Sequence, residues 1–221
     1  MSAFDIIGPP MLGPSSSHTA GAARIGLLAR YLLGAVPESA VIGLHGSFAA
    51  TGTGHATDRA LAGGLLGFSP DDERIATALD LAAAGGMEIL FSSIDLGDSV
   101  HPNSTRLELS GACSRHLELV ASSVGGGSIE TLSIDGFSVR LCGQLDTLVL
   151  WHEDRPGFLS HVTAIFAAVE ANIATIRTAR RHRAAEALTA VELDAPVLPE
   201  ISGLLSRMSS ILHQACIPPL P

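Results

Sequence analysis

The stretch Gly13-Pro14-Ser15-Ser16-Ser17-His18-Thr19 crowds four hydroxyls and an imidazole ahead of the helix-like run Ala20-Gly21-Ala22-Ala23-Arg24-Ile25-Gly26-Leu27-Leu28. A helix start leaves backbone N–H groups unpaired and carries the positive end of the helix dipole, so such a place suits a small carboxylate or phosphate. Capping alone would need one hydroxyl and would give His18 no task. The block is not a P-loop, because no Gly-Lys-Ser/Thr follows the glycine.

Two further polar segments stand apart from the other histidines. His55-Ala56-Thr57-Asp58 places an acid three residues after an imidazole, close enough to orient it if a helix begins there. His101-Pro102-Asn103-Ser104 adds an amide and a hydroxyl ahead of a strand. Three chemistries compete for His18, His55 and His101. A serine hydrolase could use Ser16, His55 and Asp58, but the chain has no Gly-x-Ser-x-Gly elbow. A divalent metal could sit among the imidazoles and Asp58, but no compact spacing such as His-Glu-x-x-His is present. A polar pocket gripping a small amino or hydroxy acid, with a histidine as acid or base near neutral pH, uses all the features with least strain. His45, His116, His152, His161, His182 and His213 read as structural or surface-lying.

The elements that must hold these groups fall into two halves. In the first, Ile25, Leu28 and Leu32 give one apolar helical face between about Ala20 and Leu33, and Val41 to His45 reads as a short strand. A helix follows His55 through Leu66, weakened on propensity by Gly63 and Gly64. Ser69-Pro70-Asp71-Asp72-Glu73 predicts a helix capped by Ser69 and running to Gly85-Gly86. From Glu88 the pattern turns to strands. Gly125-Gly126-Gly127 is a turn or a close backbone approach, and Asp135-Gly136 predicts a hairpin between Thr131–Ile134 and Phe137–Leu141. Helices followed by strands give an α+β class.

Beyond Gly143-Gln144 a compact unit begins. Its order is a strand at Leu145–Trp151, the turn Asp154-Arg155-Pro156-Gly157, a helix from Phe158 to Glu170, strands at Ile173–Thr178 and Leu188–Leu193, a helix from Pro199 to Leu212, and a last strand within Ile211–Ile217. That βαββαβ order is ferredoxin-like. Pro218 and Pro219 are poor strand residues, so the last strand is expected to be short. The expected domains are residues 1–143 and 144–221.

Composition narrows the partners. The formal net charge of −9 argues against nucleic acid. No unbroken apolar stretch is long enough to span a bilayer, and no charged-then-apolar leader opens the sequence. Cys113, Cys142 and Cys216 are odd in number and widely spaced, which argues against a disulfide framework and for the cytoplasm. A mean hydropathy of +0.37 hints at apolar surface covered by another subunit.

The blocks Phe4-Asp5-Ile6-Ile7-Gly8-Pro9, Gly13–Thr19, Gly54-His55-Ala56-Thr57-Asp58, His101-Pro102-Asn103 and Gly125-Gly126-Gly127 together resemble the β subunit of bacterial iron–sulfur-dependent L-serine dehydratase. The first half also resembles the allosteric substrate-binding domain, and the second half resembles an ACT domain. The resemblance implies elimination of water from L-serine to give pyruvate and ammonia, with a 4Fe-4S cluster acting as Lewis acid on the substrate hydroxyl. It also implies that an absent α subunit ligates that cluster; the three scattered cysteines here form no cluster-like run, and this chain is expected to hold no metal itself.

On the same resemblance, His18 or His55 would take the α-proton. Ser15, Ser16, Ser17 and Thr19 would line the substrate pocket, with Asp58, His101 and Asn103 as further pocket residues. In the ACT-like unit, Asp154, Gly157 and Asn172 would bind an amino-acid effector across a homodimer, although such units also serve as empty pairing devices. A serine- or hydroxyacid-sensing module without chemistry is the competing expectation. Two departures stand out. The family usually has glycine where this chain has Ala56, which costs about 1 kcal/mol if that backbone needs a positive φ. Its His-Pro-Asn-Thr-Ala block is His101-Pro102-Asn103-Ser104-Thr105 here, which keeps a hydroxyl.

Overall fold

The computed structural model describes residues 11, 13, 15–52, 54–111, 115–183 and 185–221, so the block Phe4–Pro9, Pro14 and Cys113 fall outside the described residues. The chain divides into two compact units, one built chiefly from residues up to Asp135 and the other chiefly from Gly143–Pro219.

In the first unit a π-helical turn, Ser16–Gly21, runs directly into helix α1, Ala22–Leu33. The side chain of Ser15 caps the turn by accepting from the His18 N–H at 3.2 Å. Then come strand β1 (Ser39–Gly46), the short helix α2 (Ser47–Thr51) and helix α3 (Thr57–Leu66). A 3₁₀ turn at Glu73–Thr77 leads into helix α4 (Ala78–Ala84). Strands β2 (Glu88–Ile94), β3 (Asn103–Ser110), β4 (His116–Gly125) and β5 (Ser128–Ile134) complete the unit. The sheet order is β2-β1-β3-β4-β5, with β1 and β2 parallel and every other pair antiparallel. Ile42, Leu107, Leu109, Leu117 and Leu119 from the sheet are fully buried, as are Ile25, Leu28 and Leu32 of α1 at the helical spacing that the sequence shows.

Gly63 and Gly64 do not interrupt α3; they lie inside it. A Cβ on Gly64 would sit 2.1 Å from the Ala23 carbonyl oxygen, and one on Gly26 would sit 2.3 Å from that of Leu61. The two helices therefore cross backbone to backbone, a contact that helix propensity does not register.

Three other expectations are corrected. The helix expected to start at Ser69 starts later. Ser69 instead opens a turn, its carbonyl accepting from Asp72 N–H, and Asp72 does the capping by accepting from Arg74 N–H at 2.9 Å. The Asp135-Gly136 turn forms, with both residues at positive φ. The arm after it is not a continuous strand: it has an isolated bridge at Phe137 and returns to β5 through the Thr131–Leu141 hydrogen bonds and the Arg140–Glu130 ion pair. In the second unit, the helix expected over Pro199–Leu212 stops at Leu205, since Ile211 onward is needed to pair with the unit's first strand.

That second unit is β6 (Asp146–Glu153), α5 (Phe158–Ala168), β7 (Ile173–Arg180), β8 (Glu186–Leu193), α6 (Pro199–Leu205) and β9 (Ile211–Ile217). Its antiparallel sheet has the order β7-β8-β6-β9, the ferredoxin-like arrangement expected. Strand β9 is not curtailed; it runs seven residues and stops where Pro218 begins. Leu148, Leu150, Val191 and Leu193 pack against Phe158, Val162, Phe166, Ile201 and Leu205 to make the core.

His152 is buried at the edge of that core, stacked on Phe158 with ring centroids 3.5 Å apart. Its Nε2 lies 2.9 Å from Thr189 Oγ1 and its Nδ1 2.9 Å from the Glu153 carbonyl oxygen. Burial holds this imidazole below its ordinary value of 6.5, against the upward pull of the Glu153 bond and of Asp154. The unfolded ring takes up its proton first, so this contribution is complete above about pH 6.5 and is lost as pH falls through the lower folded value. Urea unfolding followed by Trp151 fluorescence, from about pH 7.5 to pH 5.5, should show the second unit weakening toward acid. His152→Gln should flatten that slope.

Candidate active site

The sharp geometry lies where the π-helical turn, α2 and the start of α3 meet. His18, the third residue of the turn, is 9% exposed. Its Nδ1 lies 3.3 Å from Ser15 Oγ, and its Nε2 lies 3.2 Å from Ser47 Oγ and 3.1 Å from Thr51 Oγ1. Phe48 meets the ring edge-on at 5.2 Å between centroids. His55 stands beside it, the two imidazole centroids 4.9 Å apart and tilted by 48°. Burial, and next the charge that His55 would carry, hold His18 below the ordinary imidazole value, with the bond to Ser47 opposing them. His18 is thus a neutral base at physiological pH rather than a fixed cation.

Thr19 is fully buried, and its hydroxyl donates to the His55 carbonyl at 3.4 Å, tying the two segments together. The His55 Nδ1 is buried without a hydrogen-bond partner among the described residues, as are Thr57 Oγ1 and Ser123 Oγ. Buried polar atoms left unpaired in this way are uncommon.

Ala56, between His55 and α3, has φ 58 and ψ 28, the left-handed region. The Ala56 N-terminal junction therefore carries the strain anticipated for a non-glycine residue. Ala56→Gly should relieve it, raising stability by up to about 1 kcal/mol once the added freedom of the unfolded chain is subtracted. Urea denaturation of the two chains checks this.

The third block enters through its backbone. The register places Gly46 opposite Asn103, and the Pro102 carbonyl accepts from Ser47 N–H at 2.8 Å and Phe48 N–H at 3.4 Å. It thereby fixes the start of α2, the helix that presents Ser47 and Thr51 to His18. A Cβ at Gly46 would fall 2.7 Å from that carbonyl oxygen, so this approach needs glycine.

The expected residues therefore divide. His18, His55, Ser15 and Thr19 come together, and Ser16 and Ser17 lie half-buried on the same turn. Asp58 does not orient His55: its Oδ1 accepts from the next N–H, that of Arg59, at 2.8 Å. His101 is exposed, and its Nδ1 accepts from Asn103 N–H at 3.1 Å, so this block acts on the site through Pro102. Ser47, Phe48 and Thr51 went unread, because they stand in a five-residue helix with no motif around them. The one signal was Gly46-Ser47 directly after a strand.

In the second unit the effector residues are separately engaged. Asp154 pairs with Arg180 at 3.1 Å, Asn172 donates to Asp194, and Gly157, at φ 85, starts α5. A cavity of about 290 Å³ opens at the same β6–α5 turn, but it is lined by Arg155, Pro156, Phe158, His161 and Met208–Ser210 and not by Asn172.

The iron–sulfur cluster implied by the resemblance does not fit the described residues. Among them no grouping of three or more His, Cys, Asp or Glu could hold a metal ion. Cys142 and Cys216 are exposed thiols placed in different units. No helix of the described residues is long and apolar enough to cross a membrane.

A two-unit α+β chain with a histidine–hydroxyl site and a ferredoxin-like second unit defines the class. Residues 2–133 match the family described as serine dehydratase beta chain, and residues 147–209 match the ACT domain. The chain belongs to the serine dehydratase beta chain family. It is 43% identical over 212 residues to the "Probable L-serine dehydratase, beta chain" of Bacillus subtilis (strain 168), covering 96% of each chain. It is 37% identical over 204 residues to the "L-serine dehydratase, beta chain" of Peptoniphilus asaccharolyticus, covering 92% of each. It is also 42% identical over 97 residues to the "L-serine dehydratase TdcG" of Escherichia coli (strain K12), covering 39% of this chain and 20% of that protein.

Proposed function

We propose that this chain is the β subunit of an L-serine dehydratase, forming one wall of the substrate pocket and supplying the base. The observation that carries this is the pairing of buried His18 with half-buried His55 among hydroxyls, on a chain whose relatives bear that name over nearly their whole length. In this reading His18 or His55 accepts the α-proton of L-serine. Both rings suit the task, since neither is salt-bridged to a carboxylate among the described residues and His18 is kept neutral by burial.

Ser15 O already accepts from Thr19 N–H and Ser15 Oγ from His18 N–H. The substrate carboxylate would therefore fall to the Ser16 and Ser17 N–H groups and hydroxyls at the start of the turn. On the family resemblance, a 4Fe-4S cluster held by an α subunit would supply Lewis acidity for loss of the hydroxyl, and the described residues of this chain offer no ligand set for it. The unpaired Nδ1 of His55 supports a pocket completed by substrate or by that partner.

The ACT unit would pair with a second copy and bind a small amino acid at the β6–α5 turn, where Asp154 and Gly157 adjoin the cavity residues in sequence, with Asn172 contributing from just before β7. We place the complex in the cytoplasm on the scattered cysteines. Anaerobic co-expression with a cysteine-bearing α chain, followed by a pyruvate assay on L-serine, tests the whole reading. A stable complex that turns over serine is expected; a stable, cluster-loaded complex that releases no pyruvate would favour the sensing module.

A further inference from the structure

Three hydroxyls surround His18, and one of them has a carbonyl nearer than the ring. The Thr51 hydroxyl lies 2.9 Å from the Ser47 carbonyl oxygen one turn earlier, which can only accept, and 3.1 Å from His18 Nε2; when its proton goes to the nearer carbonyl, it offers Nε2 only a lone pair. An unprotonated Nε2 would set two lone pairs against each other at that distance. A protonated Nε2 donates to Thr51 Oγ1, with Ser47 Oγ as a second acceptor at 3.2 Å. The Ser15 hydroxyl then completes the set, since its oxygen already accepts from His18 N–H and its proton points to an Nδ1 that is free to accept.

We propose that Thr51, with its hydroxyl aimed by the Ser47 carbonyl, is a positioning residue that keeps the proton of neutral His18 on Nε2 and so makes Nδ1, beside Ser15, the basic atom. Hydrogen-bond bookkeeping assigns the tautomer here, and its bearing on catalysis rests on the function proposed above. When His18 takes up a proton at Nδ1, the cation donates to Ser15 Oγ on one side and Thr51 Oγ1 on the other, and the Ser15 hydroxyl turns its own proton away from the ring. Both partners are neutral oxygens, so the proton is held weakly and can be given up again. Ser47 Oγ is dispensable in this scheme, whereas Thr51 Oγ1 is not.

Nitrogen-15 histidine labelling of the full chain tests the assignment directly, because long-range proton–nitrogen spectra separate protonated from unprotonated ring nitrogens. The His18 signals are those absent from His18→Gln. Above its titration, His18 should show a protonated Nε2 and a bare Nδ1 in the wild-type chain, in Thr51→Ser and in Ser47→Ala. Thr51→Val should bring the Nδ1–H form into view. In the assembled enzyme Thr51→Val should lower kcat about tenfold or more with KM little changed, and Thr51→Ser should restore it. A wild-type His18 protonated on Nδ1, or a Thr51→Val spectrum like the wild type, overturns the inference whatever the complex turns over. The expected spectra beside a complex inactive on serine would uphold the role of Thr51 and remove the functional reading instead.

Discussion

Replacing His18 by alanine in the assembled enzyme is expected to lower kcat by about 10²–10⁴-fold, the range lost when a positioned base is removed. The ring is also a buried structural piece, bonded to Ser15, Ser47 and Thr51 and edge-on to Phe48, so lost turnover must be told apart from lost fold. Three readings separate them: the denaturation midpoint, retention of the cluster spectrum, and recovery of activity on adding free imidazole. Recovery by imidazole marks a missing base rather than a collapsed pocket. His55→Ala is the companion variant, because the two rings lie 4.9 Å apart and either could face the α-carbon. Wild-type turnover by both variants, with an intact cluster, would discard the base assignment.

Gly64→Ala sets two physical effects in opposition, and their magnitudes decide the sign. Helix propensity alone makes alanine better than glycine inside α3 by about 1 kcal/mol. The new methyl, however, would lie 2.1 Å from the Ala23 carbonyl oxygen and 2.6 Å from the Leu27 nitrogen. Both are backbone atoms of α1, which cannot rotate away as a flexible side chain would. Relief requires the helices to separate, and overpacking of this kind costs about 1–3 kcal/mol or more. A net loss of stability is expected, read as a lower urea midpoint at unchanged m-value. Since α1 continues from the turn that carries His18, activity should fall with it. An equal or higher midpoint would mean that the helices do not approach so closely.

The residues that could do chemistry were legible in sequence because they are locally dense. Ser15, His18 and Thr19 announce themselves within five positions, and the periodic apolar face of α1 and the strand–turn–helix spacing of the second unit follow from patterns a few residues long. What stayed hidden depends on distant parts of the chain. Thr51 meets His18 across 33 positions, and Pro102 starts α2 only because β1 and β3 pair. The value of Gly64 lies in the helix that it lets approach, not in its own segment. Ser69 lost its expected capping role to Asp72, since both are good caps and only the turn between them selects one. Asp58 was three residues from His55 in sequence, but its carboxylate folds back on the first turn of α3.

The most direct test is to prepare the full chain anaerobically by itself, and then together with its candidate α subunit, and to measure iron, inorganic sulfide and pyruvate formation from L-serine in both. The account predicts iron, sulfide and turnover only in the complex. A solitary chain that carries stoichiometric sulfide, or that deaminates serine unaided, would contradict it.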